Sequence, residues 1–297
     1  MFDMAAPKSV AYLLSLLDLE QLETNRFRGL SMANGWGRVY GGQVLAQALV
    51  AASRTVPSER PAHSMHAYFL LAGDPAKPID YEVEPLRDGG SFATRRVTAI
   101  QSGKTIFATI ASFHKSEPGF EHHTAMPEVP APEDLPAQAD VLSRPGSQAP
   151  KTMQAYYAKD RPIEVKLVET QRYFGAQNLA PRQCFWLRVR ATLPDTPVLH
   201  QAILAYASDF AMLDTSLIAH GKMMFDPGMQ LASLDHALWL HRPFRADDWL
   251  LYALESPSAG GARGFSRGAF YTRDGRLVAS VAQEGLVRER STAFVIK

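Results

Sequence analysis

His63-Ser64-Met65-His66-Ala67-Tyr68-Phe69-Leu70 can be laid over Ser233-Leu234-Asp235-His236-Ala237-Leu238-Trp239-Leu240 without a gap. Further on, Ser91-Phe92 through Gly103-Lys104-Thr105-Ile106 follows the same course as Gly264-Phe265 through Gly275-Arg276-Leu277-Val278, with one residue of length difference. Matched stretches in the same order mark a chain built twice on one plan, and a duplication constrains the fold before any single element is read.

Working outward, each copy is preceded by a helix that must be enclosed. Gly41-Gly42 opens a stretch from Gln43 to Thr55 in which Val44, Leu45, Ala48, Leu49 and Ala52 recur at helical spacing with small alanines all round; His200 to Ala211 is similar. Strand-like runs follow both helices: His63–Leu70, Pro78–Glu84, Phe92–Ile100 and Thr105–Phe113, then Ala237–Leu240, Trp249–Leu254, Phe265–Tyr271 and Leu277–Gln283. Ser102-Gly103 and Asp274-Gly275 join the last two of each set as hairpins. The simplest way to bury such helices is an α+β double hotdog, two tandem domains each with a long antiparallel sheet wrapped around a central helix. Prolines at 118, 127, 130, 132, 136, 145 and 150 read as a linker. The expected division is therefore 1–118, a linker over 119–150, and 151–297.

Composition excludes more than it selects. At 297 residues, 46% hydrophobic and 21% charged, the chain is an ordinary globular protein. Its 31 basic and 30 acidic residues nearly cancel, so bulk charge selects neither nucleic acid nor an anionic membrane, and an anionic ligand must be met by local arginines. No basic region followed by a cleavable apolar core opens the chain, and no run approaches about 18 apolar residues, so a cytoplasmic protein that neither spans nor binds a membrane is expected. The one cysteine, Cys184, cannot form an intrachain disulfide and sits in the apolar run Cys184-Phe185-Trp186-Leu187, where packing is the better reading than nucleophilic chemistry.

Seven segments together resemble a known family. Arg38-Val39-Tyr40-Gly41-Gly42-Gln43, His63 to Phe69, Ala207-Ser208-Asp209, Leu234 to Phe244, Trp249-Leu250-Leu251-Tyr252, Ala262-Arg263-Gly264-Phe265 and Val281-Ala282-Gln283-Glu284-Gly285 are similar to the type II acyl-CoA thioesterases. These are double-hotdog enzymes related to bacterial thioesterase II and its peroxisomal relatives. The resemblance spans nearly the whole chain outside the proline-rich stretch. It implies an acyl-CoA substrate, a homo-oligomer, no metal or redox cofactor, and a catalytic Asp, Thr or Ser, and Gln, which fall on Asp209, Ser233 and Gln283. Where many relatives carry Thr, this chain has Ser233, which keeps the hydroxyl but lacks the methyl that restricts its rotamer.

Those groups suit thioester hydrolysis. A carboxylate can take a proton from water while a hydroxyl and a carboxamide orient it, and the thiolate departs without much acid help. Backbone N–H groups at Gly41-Gly42 are candidates to polarise the carbonyl. Aligning the halves sets Ala51, His63 and Ala111 against Asp209, Ser233 and Gln283, so the polar trio occurs in one copy. Taken singly, each has a blander reading: a helix-end carboxylate, a turn serine, a strand amide.

Other features compete. His66 could act as a base, but no paired metal-ligand motif accompanies the nine histidines. Gly264-Phe265-Ser266-Arg267-Gly268 matches a nucleophile elbow, yet a hairpin rather than a helix should follow it and no histidine lies beyond His241. Gly35-Trp36-Gly37 with Gly41 has the wrong spacing for a dinucleotide loop. Arg38, Arg242, Arg263 and Arg267 are candidates for phosphate contacts. A non-hydrolytic acyl-CoA sensor and a hydratase using Asp235-His236 remain alternative functions.

Overall fold

The computed structural model describes residues 7–31 and 37–290. Of the dinucleotide-like loop, Gly35 and Trp36 lie outside the described residues. The first half contains α1 (Lys8–Leu17), β1 (Glu20–Glu23), β2 (Arg26–Gly29), α2 (Gly41–Ser53), β3 (Ala62–Phe69), β4 (Ile79–Asp88), β5 (Phe92–Gln101) and β6 (Lys104–His114). After α3 (Gln138–Ser143) come α4 (Lys151–Tyr157), β7 (Ile163–Leu167), β8 (Arg182–Val189), α5 (Pro197–Ser208), α6 (Met212–Leu217), β9 (Met229–Ser233), β10 (Asp235–Leu240), β11 (Leu250–Gly260), β12 (Arg263–Thr272) and β13 (Leu277–Glu289).

Among the described residues, all the strands join one antiparallel sheet in the order β1-β2-β4-β5-β6-β3-β10-β13-β12-β11-β8-β7, with β9 also on β13. The halves meet where β3 pairs with β10, from Asp235↔Tyr68 to Trp239↔Ser64. This is the double hotdog: each half of the sheet curls around its own helix, α2 or α5, and the two helices pack against each other. Both called helices and all eight called strands are present. Sequence reading did not assign β1, β2, β7, β8 or β9; the run around Cys184 is the strand β8.

One detail of the repeat needs correcting. A gapless overlay of His63–Leu70 on Ser233–Leu240 sets His66 over His236, but His66 is exposed on the outer face while His236 is buried on the inner one. Inner positions are Met65 and Ala67 in β3, and His236 and Leu238 in β10. Because strand side chains alternate, a one-residue slip exchanges the faces. Matching Met65 with His236 restores the equivalence.

Every residue of α2 from Gly42 to Ala52 is buried. Its alanines let sheet and neighbouring helix approach on all sides, while its two glutamines find partners. Gln47 Nε2 donates to the carbonyls of Leu16 and Leu30 at 2.8 and 2.9 Å, and its Oε1 accepts from Tyr81 Oη at 2.7 Å. Such satisfaction is what makes a buried amide tolerable. The stretch Pro197–His220 is long and apolar enough to cross a membrane by length and composition, but it runs through α5 and α6 and is mostly buried in this core.

The proline-rich stretch lies along the second half. Met126, Val129 and Leu135 pack on a cluster of Trp186, Trp249, Leu251 and Tyr271, and Trp186 Nε1 donates to Pro130 O at 2.9 Å. A close approach occurs where the N-terminus of α2 meets the C-terminus of α5. A Cβ at Gly42 would stand 2.2 Å from the Tyr206 carbonyl oxygen and 2.5 Å from the Tyr40 ring. Gly42→Ala is therefore expected to lower stability by about 1–3 kcal/mol, read as a fall in the denaturant midpoint. Gly90→Ala, whose Cβ would meet nothing within 4 Å, serves as the near-neutral control.

Candidate active site

The site is assembled at an irregularity in the sheet. Ser233 pairs with Gly285 and Ala237 with Ala282, so the chain through β9 and β10 holds one residue more than the β13 segment opposite. That is a β-bulge. In a regular strand, residues three apart point to opposite faces. Here the extra residue brings Ser233 and His236 onto the same face, one on each side of Gln283. Gln283 Nε2 donates to Ser233 Oγ at 3.1 Å, and Gln283 Oε1 meets His236 Nδ1 at 2.5 Å. The bulge frees backbone groups that must be satisfied, and Asp235 Oδ1 accepts the N–H of Glu284 at 2.8 Å.

Asp209 ends α5 as its C-cap residue and turns its carboxylate toward the N-terminus of α2. Oδ2 accepts the Gly42 N–H at 3.1 Å, and Oδ1 accepts from Ser233 Oγ at 3.4 Å. The structure therefore brings Asp209, Ser233 and Gln283 together from three separate elements. It also shows that the Gly42 N–H, expected to face a substrate carbonyl, is engaged by Asp209 instead. Burial pushes the Asp209 carboxyl up to about 6, against hydrogen bonds from Gln283, Gly42 and Ser233 and the charge of Arg38, all of which favour the anion. Desolvation is the largest of these influences.

Behind this layer, His236 is 1% exposed and its Nε2 lies 2.9 Å from Ser208 Oγ at the end of α5. Burial draws the imidazole down to about 4, so it is neutral at physiological pH. Sequence reasoning singled out this histidine only as a possible partner of Asp235. Neighbours along a strand face opposite sides, so the contacts that involve it come from β13 and α5.

Asp209 and Ser233 open onto a cavity of about 1280 Å³, whereas Gln283 and His236 stand behind its wall. Val44, Phe69, Ile106, Phe185 and Phe210 give it apolar walls, and Gly41 lines it at the start of α2. Of the four arginines singled out in the sequence, only Arg38 lines the cavity, where it also donates to Leu231 O at 2.7 Å. Arg242 donates to Leu277 O at 3.0 Å, and Arg263 and Arg267 pair with Glu284 and Glu255. His66 stands edge-on to Trp239 with ring centres 5.1 Å apart, on the outer face. Ser266 is a buried residue within β12, in register with Gln283, and the chain runs on along β12 into β13 rather than into a helix. Burial pushes the Cys184 thiol up to about 12, as a packing residue requires.

Fold and geometry define a double-hotdog protein with one carboxylate-centred site at the junction of its two helices. The acyl-CoA thioesterase family model matches residues 152–286, and the acyl-CoA thioesterase N-terminal domain matches residues 31–114. The chain is 41% identical to acyl-CoA thioesterase 2 of Haemophilus influenzae over 276 residues, covering 93% of this chain and 96% of that protein. It is 40% identical to acyl-coenzyme A thioesterase 8 of Homo sapiens over 285 residues, covering 92% and 88% respectively. The crystal structure of an acyl-CoA thioesterase II from Mycobacterium marinum is similar at a TM-score of 0.77 and 42% identity, covering 94% of this chain and 99% of that one. The chain belongs to the acyl-CoA thioesterase family.

A raised carboxyl pKa has a consequence for stability. In the unfolded chain Asp209 ionises near 3.8, and in the folded one near 6, so the folded state holds the extra proton between them. Stability then falls as pH rises through that window, and the penalty persists above it. Asp209→Asn removes the penalty. The variant should be about 1–3 kcal/mol more stable than the parent at pH 8, with no such advantage below about pH 4, in paired denaturant titrations.

Proposed function

We propose that this protein hydrolyses acyl-CoA thioesters to free acid and CoA, with a water activated by Asp209, Ser233 and Gln283 in the second of its two units. The observation that carries this reading is the convergence of one partly protonatable carboxylate and a hydroxyl at the wall of a large, partly apolar cavity, with an amide N–H directed at both from behind it. Asp209 accepts the proton of the attacking water. Its elevated pKa makes it a better base than a solvated carboxylate while leaving it ionised at neutral pH. Ser233 faces the same cavity and fixes the water's second direction, and Gln283 holds Ser233 and the carboxylate in register from behind.

The remaining roles follow from charge. As the tetrahedral oxyanion develops, we assign it to the N–H of Gly41, which lines the cavity at the positive end of α2. Apolar walls suit the acyl chain. Arg38, Arg161, Arg190 and Arg290 line the same cavity and supply cations for an anionic carrier. For the hydratase alternative, Asp235 is committed to the Glu284 N–H and points away from His236, so the pair cannot act on one substrate carbon. A sensor would bind acyl-CoA without releasing thiol.

Thiol release from a chain-length series of acyl-CoAs tests the reading directly. Asp209→Ala should lower kcat by about 10²–10⁴-fold. Acyl-CoA binding with no thiol release by the parent protein would establish the sensor instead. Ser233→Thr should retain turnover, whereas Ser233→Ala should lose about tenfold or more. Since the base must be ionised, kcat/KM should rise with pH through about 6 and level off above. A flat acid limb would remove Asp209 from the role.

A further inference from the structure

We infer that His236 is a positioning residue for this reaction: its Nδ1–H fixes which end of the Gln283 amide faces Ser233 and Asp209. The inference rests on the proposed role of the trio. An amide is nearly symmetric in shape but opposite in hydrogen-bond polarity at its two ends, so packing alone does not choose between them. With Oε1 turned inward, an acceptor would confront the Asp209 carboxylate and the Ser233 hydroxyl would lose its donor. The productive orientation therefore needs a donor on the far side of the amide. His236 Nδ1, at 2.5 Å from Gln283 Oε1, is placed to be that donor.

The protons can be counted. The neutral ring carries a single N–H. If it sat on Nε2, it would point at Ser208 Oγ, 2.9 Å away, and the bare Nδ1 lone pair would face the Gln283 oxygen. With the proton on Nδ1, Nε2 accepts from Ser208, whose hydroxyl turns from the Ala205 carbonyl, 2.8 Å away, to the ring. A one-directional relay results: Ser208 O–H to His236, His236 N–H to Gln283, Gln283 N–H to Ser233 and Asp209, and Ser233 O–H to Asp209. Every donor points toward the carboxylate. In the first half of the duplicated fold the equivalent inner positions are Met65 and Ala111, paired and fully buried, so the architecture does not itself require a polar pair there.

Two experiments test this. Long-range proton–nitrogen NMR correlation on protein with nitrogen-15 histidine, the His236 ring assigned by its loss in a variant, should show the Nδ1–H tautomer; an Nε2–H tautomer overturns the inference whatever the variants do. For turnover, His236→Leu should lower kcat about 10–100-fold with little change in KM. His236→Asn, which carries an N–H at the δ position, should restore most of it, whereas His236→Gln, with its N–H one atom further out, should not. If His236 only filled space, the larger Gln would rescue better than Asn, and that order refutes the positioning role.

The pH profile adds a third reading. Groups facing Asp209 are Arg38 and Tyr40 before α2, Tyr206 on α5 and Tyr252 on β11, with neutral His236 on β10 beyond Gln283. Burial pushes the three tyrosines up and His236 down, away from pH 6, where Asp209 titrates. Losing the oriented Gln283 N–H should therefore move the acid limb of kcat/KM upward in His236→Leu and return it in His236→Asn. A limb that stays in place in His236→Leu, alongside parental kcat, overturns the inference but leaves the trio standing. An active Asp209→Ala variant, by contrast, would remove the trio itself.

Discussion

A single extra residue in the strand beside β13 holds the site together. Without that bulge, Ser233 and His236, three positions apart, would point to opposite faces of the sheet, and Gln283 could touch only one of them. With it, one amide is held from both ends. The cost is a pair of backbone groups out of step with the ladder, which Asp235 partly repairs through the Glu284 N–H. Bulges bend a sheet and re-aim side chains, and here both effects serve the same point.

Around that point the helices supply what the sheet cannot. The positive end of α2 meets the carboxylate that ends α5, an approach close enough that even a methyl at position 42 would force neighbouring atoms to shift. The favourable dipole and the hydrogen bonds lower the cost of an ionised carboxylate buried at this position but do not cancel it, as its elevated pKa shows. An ionised carboxylate at this position therefore lowers the stability of the fold, and the proposed role of Asp209 would account for its retention. The other half of the duplication illustrates the relaxed case, with apolar Met65 and Ala111 at positions where the second half carries His236 and Gln283.

Much of the fold was legible in advance because its signals are local. Alanine-rich periodicity marked α2 and α5, and alternation with glycine turns marked the hairpins of both halves. The strands that escaped have weaker patterns. β9, Met-Gln-Leu-Ala-Ser, reads as loop-like until it is seen lying along β13, and β1 and β2 are only four residues each. The glycine pair marks the start of α2, but no linear pattern shows that Asp209 lies across the helix junction and takes the Gly42 N–H.

By itself, the sequence determined that the chain is duplicated, that two enclosed helices must be wrapped by antiparallel strands, and that only the second copy holds Asp209, Ser233 and Gln283. Those facts are carried by residue type and by spacing along the chain. Tertiary structure alone decided that His236 faces inward while His66 faces out, that one amide bridges Ser233 and His236, and that the carboxylate sits at the end of α2. Each depends on a one-residue change of strand register or on the meeting of helices more than a hundred residues apart. Period-two alternation turns such a small offset into a complete exchange of faces, so no local pattern can reveal it.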